Sequence, residues 1–265
     1  MAHSWLQDAL AVLSGGAVGF SLGLIGGGGS ILAVPLLLYV VGIDDAHVAI
    51  GTSALAVSAN AFGNLLGHWR AGNVKWGCAA TFAIAGIIGA AIGSTLGKLV
   101  DGQQLLFLFA LAMIAVGAAM LRPRAAAGNP DVRITPSIAV RLIASGLLVG
   151  AISGFFGIGG GFLVVPGLML GSGMPILSAI GSSLFSVGSF GLTTAINYAL
   201  SGLIDWMIAL LFIAGGIGGG FLGMRVAMRL ATNRRVLTSV FAGVIFAVAV
   251  YMLARTGLPP WLSIK

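Results

Sequence analysis

The feature that most constrains this chain is a series of apolar runs separated by short polar links. The ten runs lie near residues 9–25, 30–42, 47–67, 76–97, 104–121, 137–157, 161–172, 177–199, 206–224 and 236–254. Most of them approach the roughly 20 residues that an α-helix needs to cross a bilayer. Of the 265 residues, 58% are hydrophobic and only 7% are charged, which is too few charges to cover a water-exposed surface.

The composition therefore excludes a soluble enzyme and a free nucleic-acid-binding domain. It predicts an all-α, polytopic integral membrane protein that crosses the plasma or inner membrane of a cell several times. The net charge of +7 does not suggest a nucleic-acid partner, because the cations lie between the apolar runs. Cations in such links set the orientation of the helices in the membrane. The lipid bilayer is the first partner that the sequence predicts.

The two halves of the chain repeat one pattern. The block SGGAVGFSLGLIGGGGSILAVP at residues 14–35 returns as SGLLVGAISGFFGIGGGFLVVP at residues 145–166. The sequence AIGTS at residues 49–53 returns as AIGSS at residues 179–183, and Trp76 returns as Trp206. We interpret the chain as a first membrane repeat at residues 1–121, a cytoplasmic linker at residues 122–136, and a second membrane repeat at residues 137–265.

The charges predict that the two repeats are inverted. The link 68–75, the central linker and the link 225–235 carry most of the cations, which places them in the cytoplasm by the positive-inside rule. The repeat equivalent of link 68–75 lies near residues 201–205, which then faces outward. This inversion requires each glycine-broken pair, 9–42 and 137–173, to enter and leave on one side, either as one helix and one half-helix or as two short crossings. Each repeat is thus a glycine-broken helical hairpin followed by about three transmembrane helices, an arrangement that many secondary transporters use.

The glycine clusters that break these hairpins are the first candidate binding elements. A break in mid-membrane leaves backbone N–H groups without helical partners, so it should be buried or line a wet cavity. A new helix is expected to begin at Ser30 and Ile31 after the first break, and at Gly161 and Phe162 after the second. A helix N-terminus presents free N–H donors and a partial positive charge, and two of them meeting would bind an anion. The alternative is that the glycines serve only close helix packing.

Hydroxyl groups at matching positions of the next spans could complete this site. Thr52 and Ser53 correspond to Ser182 and Ser183, and hydroxyls at these positions can donate to an oxyanion. The alternative is a hydrogen bond from each hydroxyl to its own helix backbone. The predicted substrate-binding residues are Gly26, Gly27, Gly28, Gly29, Ser30, Thr52, Ser53, Gly157, Gly159, Gly160, Gly161, Ser182 and Ser183.

The sequence offers no candidate for enzyme chemistry. It contains no Ser/His/Asp set, no HExxH motif and no cluster of Cys and His, so we expect no catalytic residue, no metal site and no cofactor. Its single cysteine, Cys78, lies inside an apolar run and cannot form an internal disulfide. Six further polar residues within the spans are expected to bond neighbouring helices or to line a path. They are Asn60, Asn64, Ser186, Thr193, Thr194 and Asn197.

The residues just described carry a family resemblance. GLIGGGGSILAVPLLLYVVG at residues 23–42, followed by AIGTSAL, resembles the opening of the TauE/SafE family of membrane permeases. The second half repeats it as SGFFGIGGGFLVVPGLML, AIGSSLFSV and YALSGLIDW. The resemblance covers nearly the whole chain. It implies a transporter of sulfite, sulfoacetate or other sulfur-containing or organic anions.

These observations lead to the hypothesis of a secondary transporter, an exporter of small anions by alternating access. The expected substrate class is sulfite, sulfoacetate or a related organosulfonate. A proton or a sodium ion as coupling partner and a homodimer both stay open. An anion channel and a membrane sensor or scaffold without transport are the alternatives.

Overall fold

A computed structural model of the protein describes residues 4–121, 128–129, 132, 134–157, 161–229 and 234–256. Within these residues every regular element of secondary structure is a helix. The first half contains α1 (Trp5–Ile25), a 3₁₀ helix (Gly26–Leu32), α2 (Ala33–Leu36), a π-helical turn (Leu37–Val41), α3 (Ala46–Arg70), α4 (Trp76–Leu99) and α5 (Gly102–Leu121). The second half contains α6 (Pro136–Phe156), α7 (Gly161–Ser172), α8 (Ile176–Ala199), α9 (Trp206–Arg229) and α10 (Arg234–Thr256).

Six of these helices are long and apolar enough to cross a membrane. They are α1, α3, α4, α6, α8 and α9. Shorter apolar helices include Gly29–Val41, Gly102–Ala118, Leu163–Ser172 and Gly243–Thr256. The all-α, multi-pass membrane fold expected from the sequence is confirmed, and Trp5, Trp69, Trp76 and Trp206 all stand at or next to helix ends, where indole rings prefer the membrane interface.

Both hairpins are broken at the predicted glycine clusters. Helix α1 ends at Ile25 and α6 ends at Phe156, and the next residues, Gly26 and Gly157, have φ of +75° and +67°. This left-handed conformation is costly for a residue with a Cβ atom, so glycine is required there. The central linker lies largely outside the described residues.

Two helix pairs form glycine seams. In the first, Gly15, Gly19 and Gly23 of α1 lie against Phe212, Gly216 and Gly220 of α9, so these two helices run parallel. A Cβ atom at Gly19 would lie 2.6 Å from the Gly216 Cα. Such close backbone approach is what small residues permit between membrane helices.

The second seam joins α4 and α6. Gly146, Gly150 and Gly154 of α6 lie against Phe82, Gly86 and Ala90 of α4. These are the repeat equivalents of the residues in the first seam, with the two halves exchanged. In each seam, therefore, the first helix of one half packs on the third long helix of the other half.

Helices α3 and α8 pack on each other between the two seams. They run antiparallel, because Gly51 lies beside Tyr198 while Ser58 donates a 2.7 Å hydrogen bond to the Gly188 carbonyl. Both helices carry long runs of buried residues, including the fully buried Ala54 and Leu184. This pair lies at the centre of the molecule and carries the candidate hydroxyl residues Thr52, Ser53, Ser182 and Ser183.

Candidate functional site

The two glycine breaks touch each other. A Cβ atom at Gly27 would lie 2.5 Å from the Gly161 Cα and 2.8 Å from Val187 Cγ2 of α8. A Cβ atom at Gly161 would overlap the Gly27 carbonyl group. The backbones of the two halves are therefore in direct contact at this point, and no residue larger than glycine fits there without a shift.

Each break also packs against the central helix of the opposite half. Gly26 lies against Ile180 of α8, where an added Cβ atom would lie 2.7 Å from the Ile180 Cγ2. Gly157 lies against Ile50 of α3 in the equivalent way. Ile50 and Ile180 are themselves repeat equivalents, so the two halves exchange the same contact.

The two halves differ in the type of helix that follows each glycine break. Helix α7 begins at Gly161, as expected, and the N–H groups of its first turn have no carbonyl partner within the helix. Ser30 and Ile31 do not begin an α-helix, contrary to expectation. They lie inside the 3₁₀ helix Gly26–Leu32, and the Ser30 hydroxyl donates a 2.9 Å hydrogen bond to the Gly27 carbonyl. Among the described residues, α7 is therefore the one long α-helix whose N-terminus lies at the contact between the two breaks.

Thr52 and Ser182 bind backbone across the two halves. Thr52 Oγ1 accepts a 3.0 Å hydrogen bond from the Asp205 N–H, and Ser182 Oγ accepts a 2.9 Å bond from the Lys75 N–H. Both side chains are fully buried. The two hydroxyls therefore anchor the links before α9 and α4, and each keeps its own O–H as a donor.

Ser53 and Ser183 donate to carbonyl groups. Ser53 Oγ lies 2.9 Å from the Ile50 carbonyl oxygen and 3.3 Å from that of Gly157 at the second break. Ser183 Oγ donates a 2.7 Å bond to the Ile180 carbonyl. The bonds to Ile50 and Ile180 are the bonds to the residue's own helix backbone that the sequence left as the alternative, whereas the bond to Gly157 joins the two halves. Binding of a substrate by either hydroxyl requires it to change its acceptor.

The remaining predicted residues divide between the 3₁₀ helix and residues that are not described. Gly28 and Gly29 belong to the 3₁₀ helix, and Gly29 packs against Ser21 of α1. Gly159 and Gly160 lie outside the described residues. The structure thus brings the first break, Gly157, Gly161 and the serines of α3 and α8 into one buried region.

A second polar cluster was not recognised as a unit from the sequence. Lys98 Nζ at the end of α4 donates to Asn197 Oδ1 and Ser201 Oγ, both at 2.8 Å, and to the Asn197 carbonyl at 3.1 Å. Asn197 Nδ2 in turn donates to Ser94 Oγ and Thr95 Oγ1. This Lys98 cluster joins α4 of the first half to the end of α8. Its partners are about a hundred residues apart, so no local pattern could reveal it.

Lys98 also lines an open cavity of about 880 Å³. The other charged residues that line it are Asp44, Asp45, Asp101 and Arg255. Asp45 caps α3 and Asp101 caps α5 through hydrogen bonds to backbone N–H groups, which accounts for these two carboxylates. All five charged residues therefore gather at one end of the molecule.

Long apolar helices, two broken hairpins and a buried polar region where the breaks meet define a membrane transporter. The family comparison agrees: residues 11–252 match the family described as Sulfite exporter TauE/SafE. The chain belongs to this family. It is a multi-pass membrane protein of a transporter family rather than an enzyme, as the sequence indicated.

The chain is also similar to proteins that are named as probable membrane transporters. A "Probable membrane transporter protein" of Xylella fastidiosa (strain 9a5c) is 53% identical over 252 residues, which cover 95% of both chains. The Haemophilus influenzae relative is 30% identical and covers 73% of this chain and 74% of its own. The Bacillus subtilis protein YunE is 29% identical, with 85% and 89% covered. No solved structure matches this chain.

Proposed function

We propose that this protein is a secondary transporter that exports a small anion by alternating access, with sulfite, sulfoacetate or a related organosulfonate as its substrate. The contact between Gly27 and Gly161 is the observation that carries the proposal. It joins two broken helices, one from each half, in the buried interior. The TauE/SafE family, whose printed name is that of a sulfite exporter, supports the substrate class.

The N-terminus of α7 supplies the positive end of the site. The N–H groups of its first turn and the helix dipole favour an anion without a buried Lys or Arg. In this conformation the Gly27 carbonyl group packs on that N-terminus, so the two breaks leave no room between them. An anion therefore enters only when the breaks separate, and the hydroxyls of Ser53 and Ser183 then turn toward it.

The exchanged contacts support a rocking movement of two inverted halves. Gly26 on Ile180 and Gly157 on Ile50 are equivalent contacts, as are the two glycine seams. Because the two halves make equivalent contacts, an inward-open and an outward-open conformation that exchange the roles of the halves would have similar energies. Alternating access requires this similarity. Each seam is packed backbone to backbone, so α1 with α9 and α4 with α6 move as rigid pairs.

The membrane potential is sufficient as the energy source. A monovalent anion that leaves the cell gains about 2.3 kcal/mol per 100 mV. The sequence contains no P-loop pattern for a nucleotide. Export of a monovalent anion therefore requires neither ATP nor a coupling ion, although a proton or sodium ion is compatible with the fold.

The test is anion flux in proteoliposomes with two matched serine variants on α8. Ser183 and Ser189 both donate to a carbonyl of their own helix, but only Ser183 lies next to the break contact. We expect saturable sulfite or sulfoacetate flux that is stimulated by the same anion on the opposite side. Ser183→Ala should lower the flux, and Ser189→Ala should leave it unchanged. Equal flux in both variants would contradict the assignment of Ser183.

The same assay separates the alternatives. An anion channel gives conductance that does not saturate and shows no stimulation by anion on the opposite side. A sensor or scaffold moves none of the anions tested, although the protein folds and binds. Either result replaces the transporter proposal.

A further inference from the structure

Four polar side chains on α3 and α8 are at most 1% exposed and have no hydrogen-bond partner among the described residues. They are the amide of Asn60 and the hydroxyls of Ser186, Thr194 and Tyr198. Buried polar groups are normally paired, and an unpaired one costs free energy, most of all inside a membrane. Their burial without partners therefore calls for a functional explanation.

The Asn60 amide belongs to a polar stripe on α3. Asn60, Asn64 and His68 are four residues apart and so share one face of the helix. Glycines of α9 make room for this face: a Cβ atom at Gly220 would lie 2.6 Å from Asn64 Nδ2, and one at Gly216 would overlap the Asn60 amide. We name Asn60, Asn64 and His68 the inner stripe, because it leads toward the link 68–75.

The inner stripe is covered by the first glycine seam. Gly23 of α1 lies beside Asn64, where an added Cβ atom would be 3.1 Å from Asn64 Oδ1. The His68 ring is buried near the Gly23 backbone, without a hydrogen bond of good geometry. The α1 and α9 pair therefore closes this stripe from the side.

Thr194 and Tyr198 form the equivalent stripe on α8. They occupy the repeat positions of Asn64 and His68, and they follow Phe190, which takes the position of Asn60. Phe190 stacks on Phe82 of α4, so this face of α8 points at the second seam. We name Thr194 and Tyr198 the outer stripe.

The outer stripe leads to the cavity at the other end of the molecule. The Tyr198 ring lies 5.9 Å from Lys98 Nζ and 6.3 Å from the His47 ring, and both of these residues line the cavity. The two stripes thus run in opposite directions from the centre, where Ser58 of α3 contacts Gly188 of α8.

From this arrangement, and resting on the proposed function, we infer that the inner and outer stripes are the two halves of the translocation path. Their unpaired groups bind the oxyanion in turn as it passes. The inner half opens when the α1 and α9 pair moves off α3, and the outer half opens when the α4 and α6 pair moves off α8. Lys98 lies in the cavity where the outer half of this path ends.

The chemistry of the stripes fits an oxyanion. Amide N–H, imidazole N–H and hydroxyl groups can all donate to its oxygen atoms. None of these side chains carries a fixed charge, so each contact holds the anion weakly enough to release it. The outer stripe is shorter because Phe190 replaces an amide, which makes the inner half the more polar entrance.

Cysteine labelling tests the path without knowledge of the substrate. The single cysteine, Cys78, is buried and can be replaced by alanine as a background. Thr194→Cys should react with a membrane-impermeant methanethiosulfonate added outside, and Asn64→Cys with the same reagent added inside. Thr193→Cys is the matched control, because Thr193 donates to the Ser189 carbonyl and belongs to a different face. It should stay unlabelled. Equal labelling at 193 and 194, or none at 64 and 194, would overturn the inference.

Conservative variants test the contacts with the anion. Thr194→Val and Tyr198→Phe remove unpaired hydroxyls, so we expect unchanged or higher melting temperatures but about tenfold lower sulfite flux, as for the loss of one hydrogen bond to an anion. Thr193→Val should keep its flux. Lower melting temperatures with normal flux would show a purely structural role and overturn the inference.

The two proposals fail in different ways. If the wild-type protein moves no sulfite or sulfoacetate while 64 and 194 are labelled from opposite sides, the path stands and the proposed substrate fails. If the wild-type protein transports these anions while the variants behave like their controls, the proposed function stands and the path fails.

Discussion

Ser182 Oγ accepts a hydrogen bond of 2.9 Å from the Lys75 N–H, so a side chain of the second half holds the link that begins α4 of the first. Thr52 holds the Asp205 N–H in the same way from the other half. The two bonds are equivalents under exchange of the halves. They fix where α4 and α9 begin relative to α8 and α3.

Loss of either hydroxyl should therefore destabilise the protein by similar amounts. Ser182→Ala and Thr52→Val each leave a backbone N–H without its partner, which costs about 1–3 kcal/mol. Thermal unfolding in detergent measures this as a lower melting temperature. Ser145→Ala is the control, because Ser145 donates only to its own helix near an exposed face. Unchanged melting in both variants would contradict the anchoring role.

Adjacent glycines of α9 should respond oppositely to alanine. A Cβ atom at Gly219 would overlap the Gly16 carbonyl of α1, whereas nothing lies within 4 Å of one at Gly218. Gly219→Ala should separate the seam and lower the folded yield, while Gly218→Ala should be neutral or stabilising by up to about 1 kcal/mol from helix propensity. Fluorescence-detected size-exclusion chromatography compares the two. Similar profiles would mean that the seam is not packed as described.

The Lys98 cluster should show energetic coupling between α4 and α8. Lys98→Met and Asn197→Leu each break the bond between the ammonium group and the Asn197 side chain. In a double-mutant cycle the combined loss should be smaller than the sum of the single losses by about 1 kcal/mol or more, since the two side chains share one interaction. Additive losses would show that the cluster contributes nothing at this end of the molecule.

A topology map should place residues 70–75 and 202–205 on opposite sides of the membrane. The positive-inside rule puts the first link in the cytoplasm, with Arg70 and Lys75, and leaves Asp205 outside. Fusions of a periplasmic and a cytoplasmic reporter at each link measure this directly. If both links report the same side, the repeats are not inverted.

The sequence was sufficient to predict the helices and the breaks, because both depend on local composition. Apolar length predicts spans, and consecutive glycines interrupt a helix at Gly26 and Gly157. The 3₁₀ helix was not predicted. Glycine has little preference for the α-helix, so the conformation around Ser30 follows from tertiary packing of Gly27 on Gly161 and of Gly29 on Ser21.

The site was only partly readable for a related reason. Thr52-Ser53 and Ser182-Ser183 were recognisable as a repeated pair, but Thr52, Ser53 and Ser182 bond to carbonyl and N–H groups of distant segments. Lys98 and Asn197 are polar residues near the ends of α4 and α8. Their pairing depends on how α4 crosses α8, and no local pattern encodes that crossing.

Hydrogen–deuterium exchange tests the central claim most directly, because that claim concerns backbone N–H groups at the breaks. The reconstituted protein is compared with and without the anion that it transports in liposomes. We predict slower exchange in peptides that cover residues 26–32 and 158–164, and unchanged exchange in peptides of α10. Unchanged exchange at both breaks with saturating anion, or protection confined to another region, would contradict the account.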